Sequence, residues 1–328
     1  MKKITEYLFR LYQILITLFF LYLICLLLRY PAQSLEFAST GLLLWFQRMI
    51  PTLLPFMILS GIMIRLNLTE RFVRWFHPLF HVLFGTTPNG SYTVFMGFLC
   101  GFPMGARIVG ELLEARKIQE KEGAYLLAFC NNIGPVYFLS FVVPVLAVPH
   151  PLLSFAIMYL LPLGYGSLLY HFYYRKRGGF PEVTGNPSFF VKGSAKETLP
   201  EQITLGRLFA ATDASVLSGL IGIGKLGGYM VFFNLLNMIT MPFSHLPDTV
   251  SCFYNCLLEI TSGISRGGSA FMLPALILLP FGGFSCIAQT YSMIQHTGLS
   301  IEHYIYHKVL QMLLTGVVYA FVSVCLAG

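Results

Sequence analysis

Residues 7–28 form a run of apolar side chains in which Arg10 is the single charge. Comparable runs recur at 41–66, 92–115, 123–148, 151–173, 213–241, 270–295 and 304–327. A bilayer core is crossed by about 20 apolar residues in a helix. Inside lipid every backbone N–H and C=O must find a partner within the protein, which leaves helices and closed barrels as spanning structures. Runs of this length therefore dictate an all-α polytopic membrane protein. Composition agrees: over 328 residues only 11% are charged, against about 25% in soluble domains, and mean hydropathy is +0.70. A soluble enzyme, a secreted disulfide scaffold, a disordered chain and a coiled coil are excluded. The seven cysteines lie in apolar runs and are odd in number, so they read as small buried hydrophobes rather than a disulfide framework.

Lys and Arg total 21 against 14 Asp and Glu, a net charge of +7. In a membrane protein this excess marks cytoplasmic loops, so no nucleic acid partner is implied. The runs at 92–115 and 270–295 are broken at their centres by Gly and Pro, and read as re-entrant hairpins. With Lys2 and Lys3 inside, the cytoplasmic loops then receive Arg65, Arg71, Arg74, Arg116, Lys117, Lys121, Arg175, Lys176, Arg177, Lys192, Lys196 and Arg207. The opposite loops near 31–40, 149–150, 242–250 and 296–303 carry no Lys or Arg. This predicts that the N-terminus, the central linker and the C-terminus all face the cytoplasm. The expected organisation is an N-terminal anchor helix at 1–40, a first repeat at 41–173, a cytoplasmic linker at 174–212 and a second repeat at 213–328.

The repeats are read from a recurring order: span, interfacial helix, broken hairpin, span. Residues 41–66, 69–77, 92–115 and 123–148 correspond to 213–241, 250–258, 270–295 and 304–327. Gly101-Phe102 then aligns with Gly283-Phe284, and Arg107 with Gln289. Three spans separate equivalent points, so the halves are expected to be inverted. Paired interrupted segments in inverted repeats are a device of secondary transporters, whose midplane sites they form. The alternative is that Gly and Pro serve close helix packing.

Polar groups inside the apolar runs are the candidates for function, because a charge at membrane depth is costly. Gly101, Pro103 and Gly105 shape the first tip, and Arg107 follows it. Asn131 and Asn132 precede Gly134-Pro135, where the helix should break; their amides suit a ligand or an interhelical bond equally. Glu259, with Thr261 beside it, reads as a proton or cation site, or as a cap or partner of Arg266. Lys225 lies among glycines and either attracts an anion or snorkels to the interface. Gly283, Ser285 and Gln289 belong to the second tip, the last two on one helical face. Both tips and the two asparagines are expected to converge on one buried polar cavity. His296, Glu302, His303 and His307 cluster near the last outer turn, but surface histidines explain them, and no metal or other cofactor is expected. Phosphate-loop, nucleophile-elbow and zinc-protease motifs are missing from the sequence, so no enzymatic activity and no ATP-driven transport is expected.

Gly101-Phe102-Pro103-Met104-Gly105-Ala106-Arg107 and Ala128-Phe129-Cys130-Asn131-Asn132-Ile133-Gly134-Pro135 resemble first-half signatures of the YlbJ or SpoVV sporulation integral membrane protein family. Leu258-Glu259-Ile260-Thr261-Ser262-Gly263 and Phe281-Gly282-Gly283-Phe284-Ser285 resemble its second-half signatures. Ile260 stands where Met is common in that family. The resemblance covers about residues 40–328. It implies nucleoside-recognition (Gate) repeats and a core similar to that of concentrative nucleoside transporters. It also implies a multi-pass cell-membrane or forespore-membrane location and a link to dipicolinate, a small aromatic dicarboxylate. The expected function is secondary transport of a small polar anion, of the dipicolinate or related aromatic carboxylate class, with Arg107, Lys225 and Arg266 as nearby charges. A non-transporting assembly factor of sporulation and a nucleoside transporter are the rival readings. Expected partners are the anionic solute, the lipid bilayer, other sporulation membrane proteins and a second copy of the chain.

Overall fold

A computed structural model describes residues 2–181, 203–240, 242 and 247–327. Most of the 174–212 linker, with Lys192 and Lys196, lies outside the described residues. So does part of the loop expected at 242–250. The described chain is helical, with no strand among the described residues. Six stretches are long and apolar enough to cross a bilayer: Glu6–Arg29, Pro31–Arg65, Glu120–Leu146, Pro151–Arg177, Leu205–Thr240 and Ile301–Cys325. They correspond to the six spans expected from hydropathy. The second begins at Pro31, ahead of the expected 41, with proline in the first turn where its missing N–H costs nothing.

Helix α1 (Lys2–Arg29) is largely exposed and packs near the 237–240 turn. Helices α2 (Pro31–Leu44) and α3 (Ile50–Arg65) are joined through a π-helical turn, Trp45–Met49. A second π-turn, Phe138–Val142, precedes Pro144 as the first precedes Pro51. A proline removes one backbone donor, and a π-turn is one way for the ladder to absorb that loss. Two short helices follow, α4 (Thr69–Val73) and α5 (His77–Phe84). Helices α6 (Pro88–Cys100) and α7 (Met104–Glu114) then pack against each other across a three-residue break. Lys117, in the turn after α7, donates to the carbonyl of Ile64 and so closes the end of α3. Its burial lowers its pKa to about 8.

Helix α8 (Glu120–Cys130) stops at Asn131, and the chain resumes as α9 (Pro135–Tyr137), the π-turn and α10 (Val143–Leu146). Helix α11 (Pro151–Leu169) returns beside α8. The second half opens with α12 (Leu205–Leu236), which packs along α2 and α3 and accepts a hydrogen bond from Trp45 Nε1 at the Ile223 carbonyl, 2.8 Å. Helices α13 (Asp248–Leu258) and α14 (Ile260–Gly267) fold back on each other around Glu259. Helices α15 (Met272–Leu278) and α16 (Gly283–Ile294) follow, then α17 (Ile301–Ala327).

The second half corrects one expectation. The 270–295 run was expected to turn back as a hairpin. Instead, the helical pair Ile260–Leu278 and Gly283–Ile294 is bent by 40°, far less than a reversal requires. The helices that do fold back are α13 and α14, so Glu259 sits at a turn tip rather than at the end of an interfacial helix.

The direction of α17 follows from its contacts. Tyr165 of α11 bonds His307 near the start of α17, while Tyr319 near its end packs in the cluster holding Phe155 and Ile157. The two helices are therefore antiparallel. Gly298 lies against the Glu120 carboxylate, and Lys121 Nζ donates to the Arg177 carbonyl at 2.9 Å. The 295–300 turn thus shares a face with Arg116, Lys117 and Arg175–Arg177. By the positive-inside rule that face is cytoplasmic. The 296–303 loop therefore lies on the same face as these basic residues, where the sequence reading had placed it opposite them, and the far end of α17 points to the other face.

A cysteine labelling experiment tests this topology in a background lacking Cys25 and Cys325. In right-side-out membranes, an impermeant maleimide should label Ser269→Cys directly and Ser300→Cys only after permeabilisation. Labelling of both from the same side contradicts the arrangement.

Candidate functional site

The centre of the molecule is built from two turn tips and two helix interruptions. At the first tip Gly101 adopts φ 85°, and the Phe102–Pro103 peptide is cis. A Cβ on Gly101 would fall 2.3 Å from the backbone nitrogen of Gly134. Gly97 and Gly105, on the two arms, both press against the Cys130 carbonyl, where a Cβ would stand 2.3 and 2.6 Å away. Only residues without side chains allow the α6–α7 pair to close over the broken end of α8.

That broken end exposes carbonyls which a continuous helix would have satisfied. Side chains take over. Asn132 Nδ2 donates to the Phe129 carbonyl at 2.9 Å, and Gln311 Nε2 to the Ala128 carbonyl at 2.6 Å. Tyr159 donates to the Ile133 carbonyl at 2.9 Å. Asn131 ties three elements together: its Oδ1 accepts from Ala106 N at 3.3 Å, and its Nδ2 donates to Thr290 Oγ1 at 2.9 Å and Tyr304 Oη at 3.0 Å. Asn132 Oδ1 accepts from Lys308 Nζ at 2.9 Å.

At the second tip Glu259 caps α14, accepting from Thr261 N at 3.1 Å and Ser262 N at 2.7 Å. Of the alternatives open in the sequence, capping is the one realised. Arg266 lies instead over the Phe37 ring, 4.1 Å from its centre. Tyr137, just past the first interruption, donates to Thr261 Oγ1 at 3.0 Å. At the second interruption Gly282 and Gly283 both have positive φ. A Cβ on Gly283 would press on the Cys256 carbonyl at 2.9 Å, and one on Gly282 would meet the Phe102 ring at 3.3 Å. Gln289 Nε2 donates to Ser285 Oγ at 3.0 Å.

These parts enclose a cavity of about 390 Å³. Cys100 and Phe102 line it from the first tip, Ile133, Gly134 and Tyr137 from the first interruption, Glu259 and Thr261 from the second tip, and Cys286 and Gln289 from the second interruption. Gln47, Arg48 and Thr52 close one side. The 101–105 tip and the 282–285 interruption lie together, with Gly282 against the Phe102 ring, and Glu259, Thr261 and Gln289 line the cavity.

Other expected site residues sit elsewhere. Gly101, Pro103, Gly105, Gly283 and Ser285 shape the walls without lining the space. Asn131 and Asn132, expected to face the cavity, are not among its lining residues: α7, α16 and α17 claim the Asn131 amide, and the cut end of α8 and Lys308 claim that of Asn132. Arg107 is withdrawn: it pairs with Glu111 at 2.9 Å and donates to Ser218 Oγ at 3.0 Å. Lys225 is exposed on α12, outside the lining. The histidine group gathers no metal site, and among the described residues no cluster of three or more metal-ligating side chains occurs.

From the sequence Arg48 reads as a structural residue near a span end, and sequence reasoning passed over Tyr137 and above all Lys308. Tyr304, Lys308, Gln311 and Thr315 follow a helical spacing and are all buried. That polar stripe inside an apolar span was the signal available for Lys308.

The asparagine network makes a stability prediction. Asn131→Leu should leave Ala106 N, Thr290 and Tyr304 without partners, at about 1–3 kcal/mol for each buried group, and Gly97→Val should cost about 1–3 kcal/mol by overpacking. Lys225→Met should stay within about 0.5 kcal/mol of the parent. Thermal unfolding in detergent reads all three, and an Asn131→Leu variant melting with the parent contradicts the assignment.

Comparison with known proteins follows the same lines. The sequence model of the Gate family, described as nucleoside recognition, matches residues 46–149, from the first π-turn to just past α10. The sporulation integral membrane protein YlbJ of Bacillus subtilis (strain 168) is 26% identical over 333 residues, covering 91% of this chain and 79% of that protein. No solved structure matches. The resemblance carried by the four motifs is thereby borne out: the chain is similar to the sporulation integral membrane protein YlbJ over most of its length, and its residues 46–149 match the nucleoside-recognition (Gate) model.

Proposed function

We propose that the chain is a secondary transporter of a small polar anion, of the size and kind of an aromatic carboxylate such as dipicolinate. The observation that carries this reading is the shared cavity of two turn tips and two interrupted helices. Helix interruptions at membrane depth are tolerated where they line a cavity or are buried in protein, and transporter sites are built from such elements. Arg48 supplies positive charge at the lining, and Phe102, Tyr137 and Phe141 supply aromatic surface.

Recurrence of parts supports the same reading. Helices α2–α3, the α6–α7 pair, interrupted α8–α10 and α11 are followed by α12, the α13–α14 pair, interrupted α15–α16 and α17. The second series runs in the opposite sense, as an inverted repeat would. In this register Glu259 matches the 101–103 tip, and the 279–282 interruption matches 131–134. This replaces the earlier alignment of Gly101 with Gly283.

A nucleoside is the second reading. The Gate model's description favours it, and so does Glu259 in the lining, since a carboxylate suits hydroxyl groups better than a second anion. A sporulation membrane is the proposed location.

Uptake by the purified protein in liposomes decides between them, with labelled dipicolinate, benzoate and uridine as probes. The expected result is saturable flux of the aromatic acid, reduced about tenfold by Arg48→Gln through loss of a charge-assisted contact. It should be unchanged by Lys225→Met. Saturable uridine flux without acid flux supports the nucleoside reading, and no flux of any probe supports a non-transporting assembly role.

A further inference from the structure

Lys308 is fully buried two turns into the last span. Its ammonium donates to Asn132 Oδ1 at 2.9 Å and Gln311 Oε1 at 3.3 Å. It lies 5.2 Å from the centre of the Phe102 ring and 5.8 Å from that of Tyr304. Among the described residues no carboxylate forms an ion pair with it. Buried charges are normally paired, because desolvation costs several kcal/mol per ion. Neutral amides relieve only part of that cost.

The position is informative as well. Asn132 and Gln311 bond the last carbonyls of α8 with their amide nitrogens and the Lys308 ammonium with their oxygens. The ammonium therefore stands at the negative end of a half-helix, a place where transporters seat a coupling cation. Phe102 and Cys286, which both face the ammonium, are themselves lining residues of the cavity.

We propose that Lys308 is the proton-carrying coupling group of this cavity, a resident amine in the place of a bound metal cation. The inference rests on the transport reading above. An anion beyond Phe102 supplies the charge that the ammonium lacks and favours its protonated form. An empty cavity favours the neutral amine. One proton taken from water on the entry side then crosses with the anion and is released to water on the exit side.

The surrounding groups leave this role to Lys308. The titratable groups facing it are Cys130 from α8, Cys286 from α16 and Tyr304 from its own helix. His307, its neighbour in sequence, is turned to Tyr165 of α11 and to His303. The nearest acids are engaged by backbone: Glu122 with Thr87, and Glu259 with its own cap.

The test uses the full-length protein in liposomes with dipicolinate as probe. Counterflow of labelled against unlabelled dipicolinate is measured first, then net uptake under an imposed proton gradient, with Na+ or K+ as the external cation. The wild type is expected to show counterflow, several-fold faster net uptake with acid outside, and no dependence on Na+. Lys308→Met and Lys308→Arg should keep counterflow and lose the acceleration, the first lacking the proton and the second unable to release it. Absence of wild-type counterflow overturns the transport reading for this probe and the coupling proposal with it. Wild-type counterflow with Na+-dependent or proton-indifferent net uptake overturns the coupling proposal alone. Proton-driven uptake retained in Lys308→Met does the same. If neither variant can be recovered folded, the wild-type cation and proton dependence decides.

Discussion

A helix cut at membrane depth leaves backbone carbonyls and amides that lipid cannot satisfy, and the centre of this molecule is organised around that debt. The end of α8 is the clearest instance. Its last carbonyls are met by Asn132 and Gln311, and Tyr159 meets the Ile133 carbonyl in the interruption that follows. Asn131 then fastens the same point to α7, α16 and α17. An interruption that would be a weakness in isolation becomes the place where both halves of the chain are joined.

Close approach is the second requirement, and glycine meets it. Gly97 and Gly105 let the α6–α7 pair close on the Cys130 carbonyl, and Gly283 lets α16 close on the end of α13. Phe102, at the first tip, reaches across to Gly282 at the second interruption. A shift at one tip is therefore felt by the other half. Such a joint suits a site that must open to one side at a time, since packed interfaces switch between discrete arrangements rather than deforming smoothly.

Much of this was legible from the sequence. Six spans follow from run length and hydropathy, and the Gly/Pro interruptions at 101–105 and 134–135 mark breaks that the structure contains. Glu259 and Thr261 stood out as polar groups against an apolar background, and they line the cavity. Other features were out of reach for identifiable reasons. Glycines at 282 and 283 signal a break but carry no information about its angle, so a 40° bend read as a hairpin. That reading placed 296–303 opposite the basic loops rather than beside them, because a loop without Lys or Arg gives the charge rule nothing to count. Arg107 looked available although Glu111, one helical turn on, holds it; only its second partner, Ser218, lies far off, 111 positions away. Asn132 looked like a ligand group because the Phe129 carbonyl that claims it becomes unsatisfied only once α8 is seen to stop, and Asn131 because its partners Thr290 and Tyr304 lie 159 and 173 positions away.

The central claim is that the cavity between the tips holds the solute. Alkylation of a cysteine introduced at Thr261 tests it most directly, with a cysteine at Ser269, exposed and outside the lining, as control. The account predicts that a saturating concentration of the transported solute slows alkylation at position 261 severalfold and leaves position 269 unaffected. An unchanged rate at 261, under conditions where the solute is demonstrably transported, would contradict it.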